Sequence, residues 1–169
     1  WAYRSFSSSG MSDSGPSPRP FVPDGFIPPA GLDHPDFRLR PLGPEHNASD
    51  YTAWTSSVDH ILSTPGFAQM GWPHAMTLEE NLADLVRHAE DFERRTGFTY
   101  TVLAPTDDDP PTVIGCVYIY PADSFDARVR SWVRAADATL DPVLALAVSD
   151  WLTGAWPFEQ VDDAGRTAG

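Results

Sequence analysis

A chain of 169 residues with a Pro-rich first fifth has room for one domain of roughly 130 residues. Its net charge of −13 argues against nucleic-acid and anionic-membrane partners, which need clustered Lys and Arg, and suits either a cationic substrate or an acidic, soluble surface. No apolar run reaches the ~18 residues of a membrane-spanning helix, and the single cysteine, Cys116, forbids an internal disulfide and fits a cytoplasmic location.

Residues 1–10 (WAYRSFSSSG) precede Met11 and read as an added remnant or an upstream extension. Residues 12–35 are rich in Pro, Gly, Ser and Asp, which bury too little area to offset ordering. A flexible amino-terminal segment is therefore expected over 1–35, with Phe21, Phe26 and Ile27 available to latch it onto the domain. Alternation of Phe37 and Leu39 with Arg38 and Arg40 predicts a short strand over 36–42. Tyr51, Trp54, Val58, Ile61 and Leu62 then recur at helical spacing until Pro65 and Gly66 end the pattern. A loop over 67–76 carries Trp72, Pro73 and His74. Thr77 and Glu80 form a capping box at the head of a long helix, with an apolar stripe of Leu78, Leu82, Leu85, Val86, Ala89 and Phe92. Arg94 and Arg95 occupy its last turn, and Gly97 follows as the residue beyond the cap.

Residues 98–104 predict a strand and 105–111 an acidic turn. The run 112–120 (TVIGCVYIY) is apolar on both faces, with Val113, Val117 and Ile119 on one and Ile114, Cys116, Tyr118 and Tyr120 on the other. That pattern predicts a strand buried on both sides, with Cys116 a small core hydrophobe rather than a reactive thiol. In 127–135 (ARVRSWVRA), Val129 and Val133 share one face and Arg128, Arg130, Trp132 and Arg134 the other. Asp141 with Pro142 opens a second helix with a stripe from Leu140 to Leu152, ended by Gly154. A short strand over 156–161 and a polar tail over 162–169 complete the chain.

The order strand, two helices, three antiparallel strands, helix, short strand resembles the GCN5-related N-acetyltransferase (GNAT) superfamily over residues 36–161. FRLRPL carries the resemblance as the opening strand, FTYTVLA and TVIGCVYIYP as the hairpin, ARVRSWVRA as the acetyl-CoA-contacting strand, and DPVLALAVSDWL as the helix after it. The resemblance implies an α/β (α+β) fold: a mixed, mostly antiparallel sheet flanked by helices, here lacking the carboxy-terminal helix and last strands. It implies acyl-CoA-dependent N-acyl transfer to a small or peptidyl primary amine, which attacks directly the thioester of an acetyl-CoA held where the fourth and fifth strands part. On this chain the backbone of Trp132, Val133 and Arg134 would contact the acyl-pantetheine, and the turn at Leu140 and Asp141 would face the pyrophosphate. The family's glycine-containing pyrophosphate signature is absent from the matching stretch, AADATLDP, which carries Asp137 and Asp141 instead. A second reading is a catalytically inactive GNAT-fold module that binds a ligand or a protein.

Arg128, Arg130 and Arg134 form a basic patch for phosphates, a solvated face paired with local acids, or a face covered by a second subunit, a homodimer through 127–135 anchored by Trp132. Tyr118 and His74 are the candidate catalytic side chains; Tyr100 and Tyr120 join Tyr118 as residues that could line a cleft. The five histidines are too scattered for a metal site, and none is expected.

Overall fold

The doubly apolar run lies inside a six-stranded sheet in the computed structural model, which describes residues 19–167. In chain order the elements are β1 (Leu32–His34), β2 (Phe37–Pro41), α1 (Asn47–Thr55), α2 (Val58–Ser63), α3 (Leu78–Arg94), β3 (Phe98–Leu103), β4 (Val113–Tyr120), β5 (Ala127–Val133), α4 (Asp141–Ala155) and β6 (Val161–Asp162). The strands follow one another across the sheet, antiparallel throughout except for the last pair, β5 and β6, which run parallel. Every residue of β3 and β4 is buried because helices cover both faces. On one side α4, Trp156 and Phe158 pack over Phe98, Tyr100, Val117 and Val133. On the other, Trp54, Ile61, Leu85 and the loop residues Phe67 and Trp72 pack over Cys116, Tyr118, Tyr120 and Trp132. No helix among the described residues is long and apolar enough to cross a membrane.

A β-bulge corrects the expected faces of β4. Val102 pairs with Gly115 but Leu103 with Val113, so Ile114 is an extra residue in the ladder. The extra residue reverses the phase of alternation: Val113 joins the Cys116 face, and Ile114 joins the Val117 face. Gly115 belongs at this point because a Cβ there would stand 2.3 Å from the Trp132 carbonyl oxygen.

From residue 19 the segment expected to be flexible is packed. Val22 is buried, Phe21 stacks on Phe98 and Phe158, Phe26 lies against Trp156, and β1 adds an edge strand. A few aromatic anchors suffice because the sheet supplies their partners; Ile27, by contrast, is exposed and latches nothing. The expected remnant at residues 1–10 lies outside the described residues.

The single helix expected through Leu62 is two. The chain breaks at Ser57, whose hydroxyl accepts a hydrogen bond from the Ala135 N–H at 2.8 Å. α3 starts at its capping box, with Thr77 and Glu80 exchanging hydrogen bonds at 3.0 and 3.1 Å. Its left-handed cap is Arg95 (φ 62°) rather than Gly97. Gly97 instead lets the Tyr120 ring pass, 2.2 Å from where a Cβ would stand. The buried face of α3 is Asn81, Leu85 and His88, while Leu78, Leu82 and Val86 of the expected stripe are exposed. The polar pair turns inward because each finds partners there: Asn81 meets Trp54 and Asp50, and His88 meets Tyr120.

Candidate functional site

β5 is zipped along one edge and nearly bare along the other. Against β4 its register runs from Arg128–Tyr120 to Val133–Gly115, and the Arg134 N–H extends the ladder to the Ile114 carbonyl at 2.8 Å. Against β6 it pairs at Ala127–Val161 and Arg128–Asp162. Antiparallel alternation then fixes where the peptide groups point. Arg134 bonds to β4, and so by alternation do Trp132 and Arg130; Ser131 and Val133 turn their N–H and C=O groups into the gap where β5 and β6 part. The chain leaves the sheet after Asp162 through a tight turn. Asp162 Oδ1 accepts from the Ala164 N–H at 3.0 Å, Asp163 Oδ1 accepts from the Gly165 N–H at 2.9 Å, and Ala164 and Gly165 adopt positive φ.

Between β5, β6 and α4 lies a cavity of about 210 Å3, lined by apolar Val129, Val148, Leu152 and Phe158 and by hydroxyls such as Ser131 and Ser149. Arg166, carried back by the turn, closes one end. Its Nη1 donates to the Ser131 carbonyl at 3.4 Å, its Nη2 donates to the Asp141 carbonyl at 3.4 Å, and its guanidinium pairs with the Asp141 carboxylate. These side chains are only 10% and 17% exposed. The other Asp141 oxygen, Oδ1, is buried without a hydrogen-bond partner among the described residues.

The expected site residues fall in different places. Val133 presents its peptide to the gap, whereas the Arg134 N–H is spent on β4. Trp132 is fully buried within its own chain, packed on Trp72 and donating from Nε1 to Tyr118 Oη at 3.0 Å. It cannot anchor a second subunit, because residues 67 and 72 of the loop already cover the face a dimer through 127–135 would use. Leu140 is the N-cap of α4, half-buried, and Asp141 is that helix's first residue. The expected basic patch is largely ion-paired: Arg130 with Asp162 at 3.1 Å and Arg134 with Asp137 at 2.7 Å. His74 is exposed, its Nδ1 3.1 Å from the Ala75 carbonyl oxygen, and does not line the cavity. Tyr118 is sealed on the opposite face of the sheet from α4. Tyr100 points to the α4 face and donates to the Pro29 carbonyl at 2.6 Å.

The sealed face carries its own polar network. Asn81 Nδ2 donates to Asp50 Oδ2 at 3.0 Å and to Asn47 Oδ1 at 2.8 Å, while its Oδ1 accepts from Trp54 Nε1 at 3.0 Å. His88 Nδ1 lies 2.7 Å from Tyr120 Oη, which donates to Asp91 Oδ2 at 2.9 Å. Burial pushes the Asp50 carboxyl up to about 6 and the His88 imidazole down to about 3. It also pushes the Cys116 thiol and the Tyr118 hydroxyl well above their usual ranges, so Cys116 is inert and Tyr118 stays neutral.

Sequence reasoning missed Ser131, the turn at 163–166 and Arg166. The available signals were two aspartates ahead of Gly165, an Asx-turn pattern, and a serine alternating in phase with Val129 and Val133.

The chain is similar in fold to solved structures of acetyltransferases. A ribosomal-protein-alanine acetyltransferase from Vibrio fischeri superposes with a TM-score of 0.58 at 14% identity, covering 78% of this chain and 71% of its own. A protein from Vibrio cholerae assigned as a ribosomal-protein-serine acetyltransferase gives 0.55 at 11% identity, covering 72% and 65%. The microcin self-immunity acetyltransferase MccE, solved with acetyl-CoA and AMP, gives 0.54 at 12%, covering 76% and 70%. The chain thus spans about two thirds of the length of these proteins. No family model and no curated protein matches the sequence. The curled, mostly antiparallel sheet that parts beside β5, with helices on both faces, is the GNAT acetyltransferase fold.

Proposed function

We propose that the chain is an N-acyltransferase that takes an acyl group from a coenzyme A-type thioester, acetyl-CoA being the reference donor, and passes it to a primary amine. The observation that carries this reading is the unpaired stretch of β5. By strand alternation the Ser131 N–H and the Val133 peptide turn into the gap, beside a cavity lined by apolar Val129, Val148, Leu152 and Phe158 and by polar Ser131, Ser149 and Thr153. A pantetheine arm laid there would hydrogen-bond to β5 as an added strand does, and a peptide N–H aimed at the thioester carbonyl would stabilise the charge that develops on its oxygen. The amine nitrogen bonds to the acyl carbon, the C–S bond breaks, and the amine proton passes to the leaving thiolate. Glu159 and Asp163 among the cavity-lining residues suit a cationic amine as acceptor. Two neighbours support the same class of acceptor: one is named for acetylating an alanine of a ribosomal protein, the other for modifying the amino-terminal serine of one.

Thiol release from acetyl-CoA and from S-acetylpantetheine, measured against a panel of primary amines and amino-terminal peptides, tests the reading. Amine-dependent release with an N-acetylated product is expected. Donor binding without release for any amine would leave a ligand-binding module in place of an enzyme.

A further inference from the structure

The two ends of the cleft fit a coenzyme A thioester unequally, and the disagreement identifies the donor. Resting on the acyl-transfer reading above, we infer that the cleft between β5 and α4 takes an acyl-pantetheine thioester lacking the adenosine diphosphate half of coenzyme A.

The pantetheine end fits: an open strand edge at Ser131 and Val133, and apolar walls from Val148, Leu152 and Phe158. The cavity of about 210 Å3 falls below the roughly 300–1,000 Å3 of pockets that engulf drug-sized ligands, so it accommodates an arm and not a dinucleotide-sized molecule. The phosphate end does not fit. A diphosphate would have to meet the first turn of α4, where Asp141 sets a carboxylate and Pro142 offers no N–H. The arginines lining the cavity are already committed, Arg166 to Asp141 and to the carbonyls of Ser131 and Asp141, and Arg130 to Asp162. Arg134, at the head of the loop, is likewise committed to Asp137. Asp141 Oδ1 is a buried acceptor without a hydrogen-bond partner among the described residues. It repels phosphate oxygens and matches the amide N–H and hydroxyl donors along a pantetheine arm.

Isothermal titration of the full chain with S-acetylpantetheine and with acetyl-CoA tests the inference. Wild type is expected to bind S-acetylpantetheine at least as tightly as acetyl-CoA, although the smaller ligand lacks every nucleotide contact. Asp141→Asn keeps the acceptor oxygen, removes the charge and frees Arg166. It is expected to raise acetyl-CoA affinity about tenfold while moving S-acetylpantetheine affinity less than about threefold. Wild type binding acetyl-CoA ten or more times tighter than S-acetylpantetheine would overturn the inference and leave the acyltransferase reading standing. Binding of neither ligand would overturn both.

Discussion

The two sides of β5 are built on opposite principles. Toward β4 and α3 it is sealed: a continuous ladder, a Gly115 fitted against the Trp132 carbonyl, and aromatic rings from Trp54, Phe67 and Trp72 stacked beneath the strand. Toward β6 the ladder stops after Arg128, and the gap is bridged by side chains: the Arg130 guanidinium bonds to Asp162, and that of Arg166, on a short turn, bonds to the Ser131 carbonyl. Tyr118, one of the two candidate catalytic side chains, lies on the sealed side with Cys116, and burial holds the protons of both in place. Peptide groups lie on the other. If the proposed acyl transfer holds, access outweighs side-chain type: the transfer needs orientation and backbone donors, and among the described residues the open side offers them.

Breaking the sealed side carries the largest expected effect. Gly115→Val places a branched side chain against backbone at 2.3 Å and should cost about 4 kcal/mol, lowering Tm by roughly 10 °C in calorimetry. A Tm within 2 °C or so of wild type would mean that the β4–β5 edge is looser than described.

The sealed side should also set the pH dependence of stability. Asp50 holds its proton up to about pH 6 in the folded chain, against an ordinary value of 3.8, so the stability it contributes is lost as pH rises through about 6. His88 acts in the opposite sense: its folded value of about 3, against 6.5, means stability is lost as pH falls below about 6.5. Asp50→Asn should remove the first loss, on the order of 2–3 kcal/mol between pH 3.5 and 7.5. The variant's Tm should then fall steadily on acidification, where wild type shows partial cancellation. Parallel Tm–pH curves for the two proteins would contradict the burial of Asp50.

The open side should respond least. Arg166→Ala leaves the Asp141 carboxylate, 17% exposed, without its partner and should cost about 2 kcal/mol, read as a lower Tm in calorimetry.

Much of the sealed architecture is legible in the sequence. The capping box at Thr77, the apolar hairpin strands and the two-faced pattern of 127–133 each place an element where the structure has it. What escapes has physical causes. Asn81 and His88 look like surface residues until their partners on α1 and β4 are in place. A bulge of one residue inverts a period-two reading of Val113 and Ile114. Phe21 and Phe26 gain order from a sheet 70 or more residues further along the chain, which no local composition records. The site is the least legible part. Its key contact joins Arg166 to Ser131 across 35 residues, and its donors are peptide groups that every sequence possesses.

Amide hydrogen exchange at four consecutive residues tests the central claim most directly. The open-edge geometry predicts alternation: Trp132 and Arg134, bonded to β4, exchange slowly, while Ser131 and Val133 exchange much faster and become protected when S-acetylpantetheine is added. Equal, strong protection of all four amides in the free protein would show that β5 is zipped on both edges, and the cleft would not exist.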